Sequence, residues 1–284
     1  MSKIHYHQPA TLAEACTLLQ SLGQEAAVLN GGSDLVVKLN QGIYKKHLVN
    51  IKFIPGLDYI WEDGAGLAIG ALAKLSAIAA HPLVKEKYPV LAAAVREIGT
   101  PQVRNIGTLS GNLCNASPVA DSAPALLVLG ARLRLAGPDG EREVALADFL
   151  IGPGATLLQA GELLREIFLP APPPGFRAAF AKLGPRKAAD IAVVNAAAAF
   201  RLLEGRITEP LVCLGAVAPT LIRSPQAEQA LDGQALAALD PQQIGALAAQ
   251  DARPISDLRA SKGYRQEMAG VLVERALLAL KEEQ

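Results

Sequence analysis

Residues 107–123 read GTLSGNLCNASPVADSA and carry small and polar side chains, whereas the sequence on both flanks is apolar. The segment contains two Gly, three Ser, two Asn, one Thr and one Asp. Small side chains let a backbone approach a ligand closely and leave its N–H groups available to an anion. The part GTLSGN at 107–112 therefore predicts a loop without bulky side chains whose backbone contacts an anionic ligand. The alternative is a turn with a purely structural role.

A second glycine-rich segment, GGSDL at 31–35, follows the apolar run AAVLN and precedes a short helical pattern. Its two glycines would admit a phosphate, and the N–H groups at the helix start carry a partial positive charge. The alternative is an ordinary turn in which Ser33 or Asp34 caps the helix. Two such segments in one chain favour a dinucleotide over a pair of structural turns, because a diphosphate needs contacts from more than one side.

Asp121 is the one carboxylate of the opening segment and stands directly before apolar helical sequence. A carboxylate in this position either binds ribose hydroxyls or caps the helix that follows. Taken alone, the pattern favours the cap.

The chain divides into three parts by its patterning. Residues 1–55 predict a β-α-β unit whose first helix begins at a Thr11/Glu14 capping box, with Cys16 in the core. Residues 56–173 predict an α+β region. In it, DGAGLAIG at 63–70 is not a Rossmann fingerprint, because its glycine spacing is too long. The stretch predicts the start of a strand instead. The proline-rich APPPGF at 171–176 predicts a boundary before a third, α+β part, residues 174–284.

Composition excludes several function classes. Lys plus Arg and Asp plus Glu number 27 each among 284 residues, so no net charge favours nucleic acid or an anionic membrane. No apolar run is long enough for a signal peptide or a membrane span, which predicts a cytoplasmic protein. Three distant cysteines and the alternating His5 and His7 do not predict a disulfide framework or a metal site. No pair of residues suggests a catalytic acid and base.

Four motifs in fixed order resemble one family. AVLNGGSDL, TPQVRNIGTLSGNLCNASPVADSAPAL, FAKLGPRKAADIAVVNAAAAF and RASKGYRQEMAGVL are similar to the FAD-binding subunits of molybdenum hydroxylases, most closely the bacterial xanthine dehydrogenase type. The similarity is collinear over about residues 4–280. It implies an α+β protein with a vanillyl-alcohol-oxidase or PCMH-type FAD-binding fold in two subdomains, 1–55 and 56–173. A C-terminal domain of the CO dehydrogenase flavoprotein type, 174–284, would follow.

The resemblance also implies which residues bind FAD. The first glycine segment would wrap the diphosphate, the second would contact it from the other side, and Asp121 would lie near the adenosine. Asp190 and Ile191 would face the isoalloxazine, with Leu163 and Lys182 beside the cofactor. The complete implied set is Ala27, Val28, Leu29, Asn30, Gly31, Gly32, Ser33, Asp34, Leu35, Gly107, Thr108, Leu109, Ser110, Gly111, Asn112, Asp121, Leu163, Lys182, Asp190 and Ile191.

One position departs from the family pattern. The family commonly has a Gly pair before the Asn, whereas this chain has Ser110-Gly111. If residue 110 needs a positive φ, the serine costs on the order of 1 kcal/mol.

The implied function is electron transfer inside a complex. Electrons would come from the 2Fe–2S clusters of an iron–sulfur subunit, after a molybdenum cofactor subunit has oxidised the substrate, and would pass to NAD or another acceptor. No side chain of this chain needs to act as acid, base or nucleophile. Alternatives are the medium subunit of a carbon monoxide or aldehyde/nicotinate dehydrogenase, a flavin-free assembly module of the same fold, and a self-contained flavin oxidase.

Overall fold

The structure is a computed structural model that describes residues 4–42, 45–186 and 189–282. Its strands form three main sheets, one parallel and two antiparallel, and each sheet has its own helices. This is the α+β organisation that the sequence predicts. Within the described ranges, no helix is both long and apolar enough to cross a bilayer.

The N-terminal unit contains the predicted β-α-β arrangement. Its elements are β1 (His5–His7), α1 (Leu12–Leu22), β2 (Ala26–Leu29), α2 (Ser33–Asn40) and β3 (His47–Asn50). The strands are parallel in the order β1-β3-β2. Thr11 caps α1 by accepting a hydrogen bond from Glu14 N at 3.1 Å, while the Glu14 carboxylate accepts one from Ala10 N at 2.7 Å. Cys16 is buried, as predicted, and its thiol donates to the Ala136 carbonyl oxygen.

The central unit is a five-stranded antiparallel sheet in the order β4-β5-β10-β6-β7, with helices packed against it. The residues of the rejected Rossmann pattern, 63–70, form the turn after β4 and then the strand β5, in agreement with the predicted start of a strand. The strands are β4 (Ile60–Glu62), β5 (Gly66–Gly70), β6 (Arg132–Gly137), β7 (Gly140–Ala145), β8 (Leu150–Gly152), β9 (Ala155–Thr156) and β10 (Leu163–Pro170). The helices are α3 (Leu75–Ala80), α4 (Pro82–Lys87), α5 (Pro89–Arg96), α6 (Pro101–Ile106), α7 (Leu109–Cys114), α8 (Ser122–Val128) and α9 (Leu146–Phe149).

Among the described residues, the C-terminal unit is a four-stranded antiparallel sheet covered by three helices. The strands are β11 (Phe176–Leu183), β12 (Val194–Leu203), β13 (Arg206–Gly215) and β14 (Ile222–Arg223). The helices are α10 (Pro225–Leu231), α11 (Pro241–Asp251) and α12 (Lys262–Glu282). The alanine-rich β12 is buried on both faces. Ala196, Ala198 and Phe200 pack in the cluster that includes α11 and α12, and Ala197 and Ala199 pack with Val128 of α8.

The buried apolar side chains form three large clusters, and neighbouring clusters contain residues from the same part of the chain. The largest joins the central sheet to its helices, one lies between the C-terminal sheet and α10 to α12, and one lies between the N-terminal unit and the central sheet. The proline-rich segment 171–175 connects β10 to β11 between two of these clusters. The domain boundaries near residues 55 and 173 stay predictions.

Candidate functional site

One large cavity, of about 680 Å³, lies where the N-terminal and central units meet, and it includes residues that follow β11. Its volume is within the range of small-molecule sites. All of the residues that the resemblance implies line it, except Leu29, Leu109 and Lys182. Those that line it are Ala27, Val28, Asn30, Gly31, Gly32, Ser33, Asp34, Leu35, Gly107, Thr108, Ser110, Gly111, Asn112, Asp121, Leu163, Asp190 and Ile191.

The first glycine segment turns the chain from β2 into α2. Gly32 has a φ of +90° and occupies the N-cap position of α2, where no side chain bonds to the helix N–H groups. The predicted cap at Ser33 or Asp34 is therefore wrong: both residues are inside the first turn, and Asp34 is exposed at the cavity. Without a side-chain cap, the first-turn N–H groups of α2 have no partner within the helix and remain available to an anion.

The two glycine segments touch each other. A Cβ added to Gly31 would be 2.5 Å from the Ile106 carbonyl oxygen, 2.9 Å from Gly107 Cα and 3.1 Å from Thr108 N. Real Cβ atoms do not approach backbone atoms this closely. The two segments can therefore lie together at one wall of the cavity only because residue 31 is glycine.

The second segment is a helix start and not the bare loop that its composition predicts. Thr108 caps α7, because its Oγ1 accepts a hydrogen bond from Gly111 N at 3.1 Å. Ser110 lies in α7 and is not among the residues with positive φ, so the predicted strain is absent. Its hydroxyl donates to the Ala71 carbonyl oxygen at 2.6 Å and accepts from Asn30 Nδ2 at 2.8 Å. This serine therefore joins the two segments instead of distorting one of them.

Asn30 supplies an unsatisfied polar atom at the cavity. Its Nδ2 donates to Ser110 and to the Ala71 carbonyl oxygen, but its buried Oδ1 has no hydrogen-bond partner among the described residues. A buried acceptor without a donor is costly. A bound molecule that brings a hydroxyl or N–H group to this acceptor would satisfy it, and a dinucleotide carries such groups.

Asp121 does not cap α8, contrary to the favoured interpretation of the sequence. It occupies the N-cap position, but its carboxylate turns to Lys182 Nζ at 2.7 Å and accepts from Asn195 Nδ2 at 2.9 Å. Burial raises the pKa of the Asp121 carboxyl, and the bonds from Lys182 and Asn195 offset part of that effect. The residue forms part of a buried ionic cluster at the cavity wall.

Other lining residues escaped the sequence interpretation. Lys38, on α2 one turn after Asp34, bonds to Asn115 Oδ1 at 2.7 Å, so the two residues join α2 to the chain after α7. Helical spacing from Asp34 could have indicated Lys38.

Glu162 is held by a bidentate pair with Arg142, at 2.6 and 2.8 Å, which lowers the pKa of the Glu162 carboxyl. Only its position beside Leu163 could have indicated this residue.

The described residues contain no group of three or more metal-ligating side chains placed to hold an ion. His7 Nε2 lies 2.9 Å from His47 Nδ1, so one of these rings bonds to the other. Of the third motif quoted above, Lys187 and Ala188 lie outside the described residues.

Two family models match the chain. The FAD binding domain in molybdopterin dehydrogenase matches residues 2–172, and the CO dehydrogenase flavoprotein C-terminal domain matches residues 178–280. The chain belongs to this flavoprotein family. Its cofactor is FAD, as the resemblance implies, and the chain is a subunit of an oxidoreductase.

Individual relatives match over almost their whole length. The carbon monoxide dehydrogenase medium chain of Afipia carboxidovorans is 35% identical over 273 residues, covering 96% of this chain and 94% of the relative. The xanthine dehydrogenase FAD-binding subunit of Escherichia coli is 34% identical over 276 residues, with the same coverage of 96% and 94%. Among solved structures, the carbon monoxide dehydrogenase from Hydrogenophaga pseudoflava that lacks the Mo-pyranopterin moiety has a TM-score of 0.93. It is 35% identical, covering 98% of this chain and 96% of that one. The predicted flavoprotein fold is confirmed.

Proposed function

We propose that this chain holds FAD in the cavity and transfers electrons inside a molybdenum-containing hydroxylase or dehydrogenase of the xanthine dehydrogenase type. The observation that carries the proposal is the close approach of Gly31 to residues 106–108, which brings two glycine-containing segments to one wall of a dinucleotide-sized cavity. When bound, FAD supplies a carrier that exchanges both single electrons and electron pairs. The protein binds and orients that carrier.

Each part of the cavity has a role in this proposal. The first-turn N–H groups of α2 and the α7 start bind the diphosphate, since helix starts favour anions. The apolar side chains of Leu75, Leu163 and Leu164 exclude water from another part of the wall. Ile191 is 46% exposed at the cavity and is the proposed contact to the isoalloxazine. Leu29 and Leu109 support the two segments from behind, because neither lines the cavity.

The proposed partners are a 2Fe–2S iron–sulfur subunit, which delivers electrons, and a molybdenum cofactor subunit, which oxidises the substrate. The names "medium chain" and "FAD-binding subunit" of the relatives support an assembly of several chains. NAD is the proposed final acceptor, on the basis of the resemblance alone.

A carbon monoxide dehydrogenase medium subunit is the second candidate, favoured by relatives of that name at 35% and 34% identity. In this candidate the role of FAD is the same and only the large subunit differs. The flavin-free module is the third candidate, and the sequence feature in its favour is the departure from the family pattern at Ser110. Ser110 fits its helix without strain, so this feature no longer supports the module.

The proposal predicts a yellow protein with about one FAD per chain. The test is the visible absorption spectrum of the protein purified with its partner subunits, followed by acid release and identification of the chromophore. A colourless complex that also fails to take up added FAD would contradict the proposal.

Cys114 provides a second, independent test of where FAD binds. Burial raises the pKa of this thiol to about 12, and Cys114 lines the cavity. At pH 8 its thiolate fraction is about a thousandfold below that of an ordinary cysteine, only partly offset by higher nucleophilicity. We expect slow alkylation by iodoacetamide at pH 8, a rate that rises about tenfold per pH unit up to pH 10, and protection by FAD.

Peptide mass spectrometry measures the alkylation, and Cys114→Ser is the control that removes the signal. Equal rates with and without saturating FAD would show that FAD does not cover Cys114.

A further inference from the structure

Lys182 lies behind the cavity wall and its ammonium is enclosed by protein oxygens. The side chain is only 4% exposed and does not line the cavity. Its Nζ lies 2.7 Å from Asp121 Oδ2 and 3.4 Å from Asp190 Oδ1. It also donates to the carbonyl oxygens of Glu97 at 2.9 Å and of Asp190 at 3.2 Å.

These oxygens come from two different units of the fold. Glu97 follows α5 and Asp121 precedes α8, both in the central unit, whereas Asp190 belongs to the segment between β11 and β12. Asn195 of β12 is fully buried and holds Asp121 from its other side. Asp121 is therefore fixed, and the contact that Lys182 adds is the one to the segment after β11.

The described residues of that segment, 184–186 and 189–193, pack around Asp190. Val193 N donates to the Leu183 carbonyl oxygen at 2.8 Å and closes its base. Arg186 N donates to Asp190 Oδ2 at 3.0 Å, and a Cβ on Gly184 would overlap the same carboxylate. The next residues of the segment, 189–191, line the cavity. A displacement of Asp190 would thus displace this part of the wall.

We propose that Lys182 is a positioning residue that holds residues 189–191 against the FAD cavity by bridging Asp121 and Asp190, and that it does not contact the cofactor. This inference rests on the proposed function only in taking FAD as the molecule bound. Without the ammonium, two carboxylates would remain buried side by side, and removing one partner of a buried ionic group is strongly unfavourable. The segment after β11 is the part able to move away, because Asp121 is tied to Asn195.

The first experiment treats the cofactor-free full chain with trypsin and follows cleavage after Arg186. Trypsin cleaves faster where the backbone leaves its folded position more often. Lys182→Met should speed cleavage at this site about tenfold, and Lys182→Met combined with Asp121→Asn should restore at least half of the protection by removing one buried charge. Lys85→Met is the matched control, because Lys85 is exposed and should leave the rate unchanged. Unchanged cleavage in the folded Lys182→Met chain would overturn the proposal.

The second experiment measures FAD affinity and, at saturating FAD, the reduction potential. We expect Lys182→Met to raise the dissociation constant about tenfold and the potential of the bound cofactor to stay unchanged. A potential that falls in Lys182→Met would show direct action on FAD and overturn the proposal.

Two further results keep the tests separate. If Lys182→Met does not fold, the variant Asp190→Asn is tested in its place. The asparagine keeps an oxygen that can accept from Arg186 N but carries no charge for Lys182. Tryptic cleavage after Arg186 at the wild-type rate in Asp190→Asn would then overturn the proposal. If the wild-type chain binds no FAD, the proposed function fails, while the tryptic result still decides the role of Lys182.

Discussion

Replacing Gly31 by valine is expected to raise the dissociation constant for FAD roughly 100-fold, which corresponds to about 3 kcal/mol. The new Cβ would be placed 2.5 Å from the Ile106 carbonyl oxygen and 2.9 Å from Gly107 Cα. Backbone atoms on both sides must then separate, because neither neighbour is the end of a flexible side chain. The separation would also weaken the Asn30–Ser110 hydrogen bond of 2.8 Å that joins the two segments.

Titration of the cofactor-free chain with FAD, followed by quenching of flavin fluorescence, measures this effect. Gly263→Val is the matched control, since a Cβ at Gly263 meets nothing within 4 Å and FAD affinity should stay at the wild-type value. Thermal unfolding of both variants separates a local change at the cavity from general destabilisation. Wild-type affinity in Gly31→Val would disprove the role of this contact.

Local patterning sufficed for the parts of the fold whose stabilising partners are near in sequence. The turn from β2 into α2 follows from an apolar run, two glycines and a helical pattern within fifteen residues. The alanine-rich β12 is a strand, although alanine favours helices. Burial on both faces explains this strand, because small side chains let α8 and the C-terminal helices approach it closely.

Patterning failed where the partner of a side chain is distant. Asp121 has the sequence context of a helix cap, yet it binds Lys182, 61 residues away, and Asn195, 74 residues away. The two glycine segments could each be found, but the direct contact between Gly31 and Ile106 could not, because it depends on how the N-terminal and central units pack. For the same reason Glu162 was missed as a lining residue.

The fourth sequence motif, RASKGYRQEMAGVL, contains a residue that ties the C-terminal unit together. Arg265 of α12 is 2% exposed. Its Nη1 donates to the carbonyl oxygens of Val193, at 2.5 Å, and Ala216, at 3.3 Å, and its Nη2 donates to Asp257 Oδ1 at 2.7 Å. Val193 closes the segment after β11, and Ala216 N donates to the Pro118 carbonyl oxygen. One guanidinium thus fixes two backbone segments that lead to the cavity.

Arg265→Met should therefore lower the free energy of unfolding by about 3 kcal/mol, because two buried carbonyl oxygens lose their donor at about 1–3 kcal/mol each. Methionine keeps the length and the apolar stem, so the loss reports the hydrogen bonds more than the packing. Arg275→Met makes the same change at an exposed position of α12 and should alter stability by less than about 0.5 kcal/mol. Urea unfolding, monitored by far-ultraviolet circular dichroism, measures both variants. If the two variants unfold at the same urea concentration, the contacts of Arg265 do not stabilise the fold, and the anchoring of Val193 and Ala216 must come from the sheet alone.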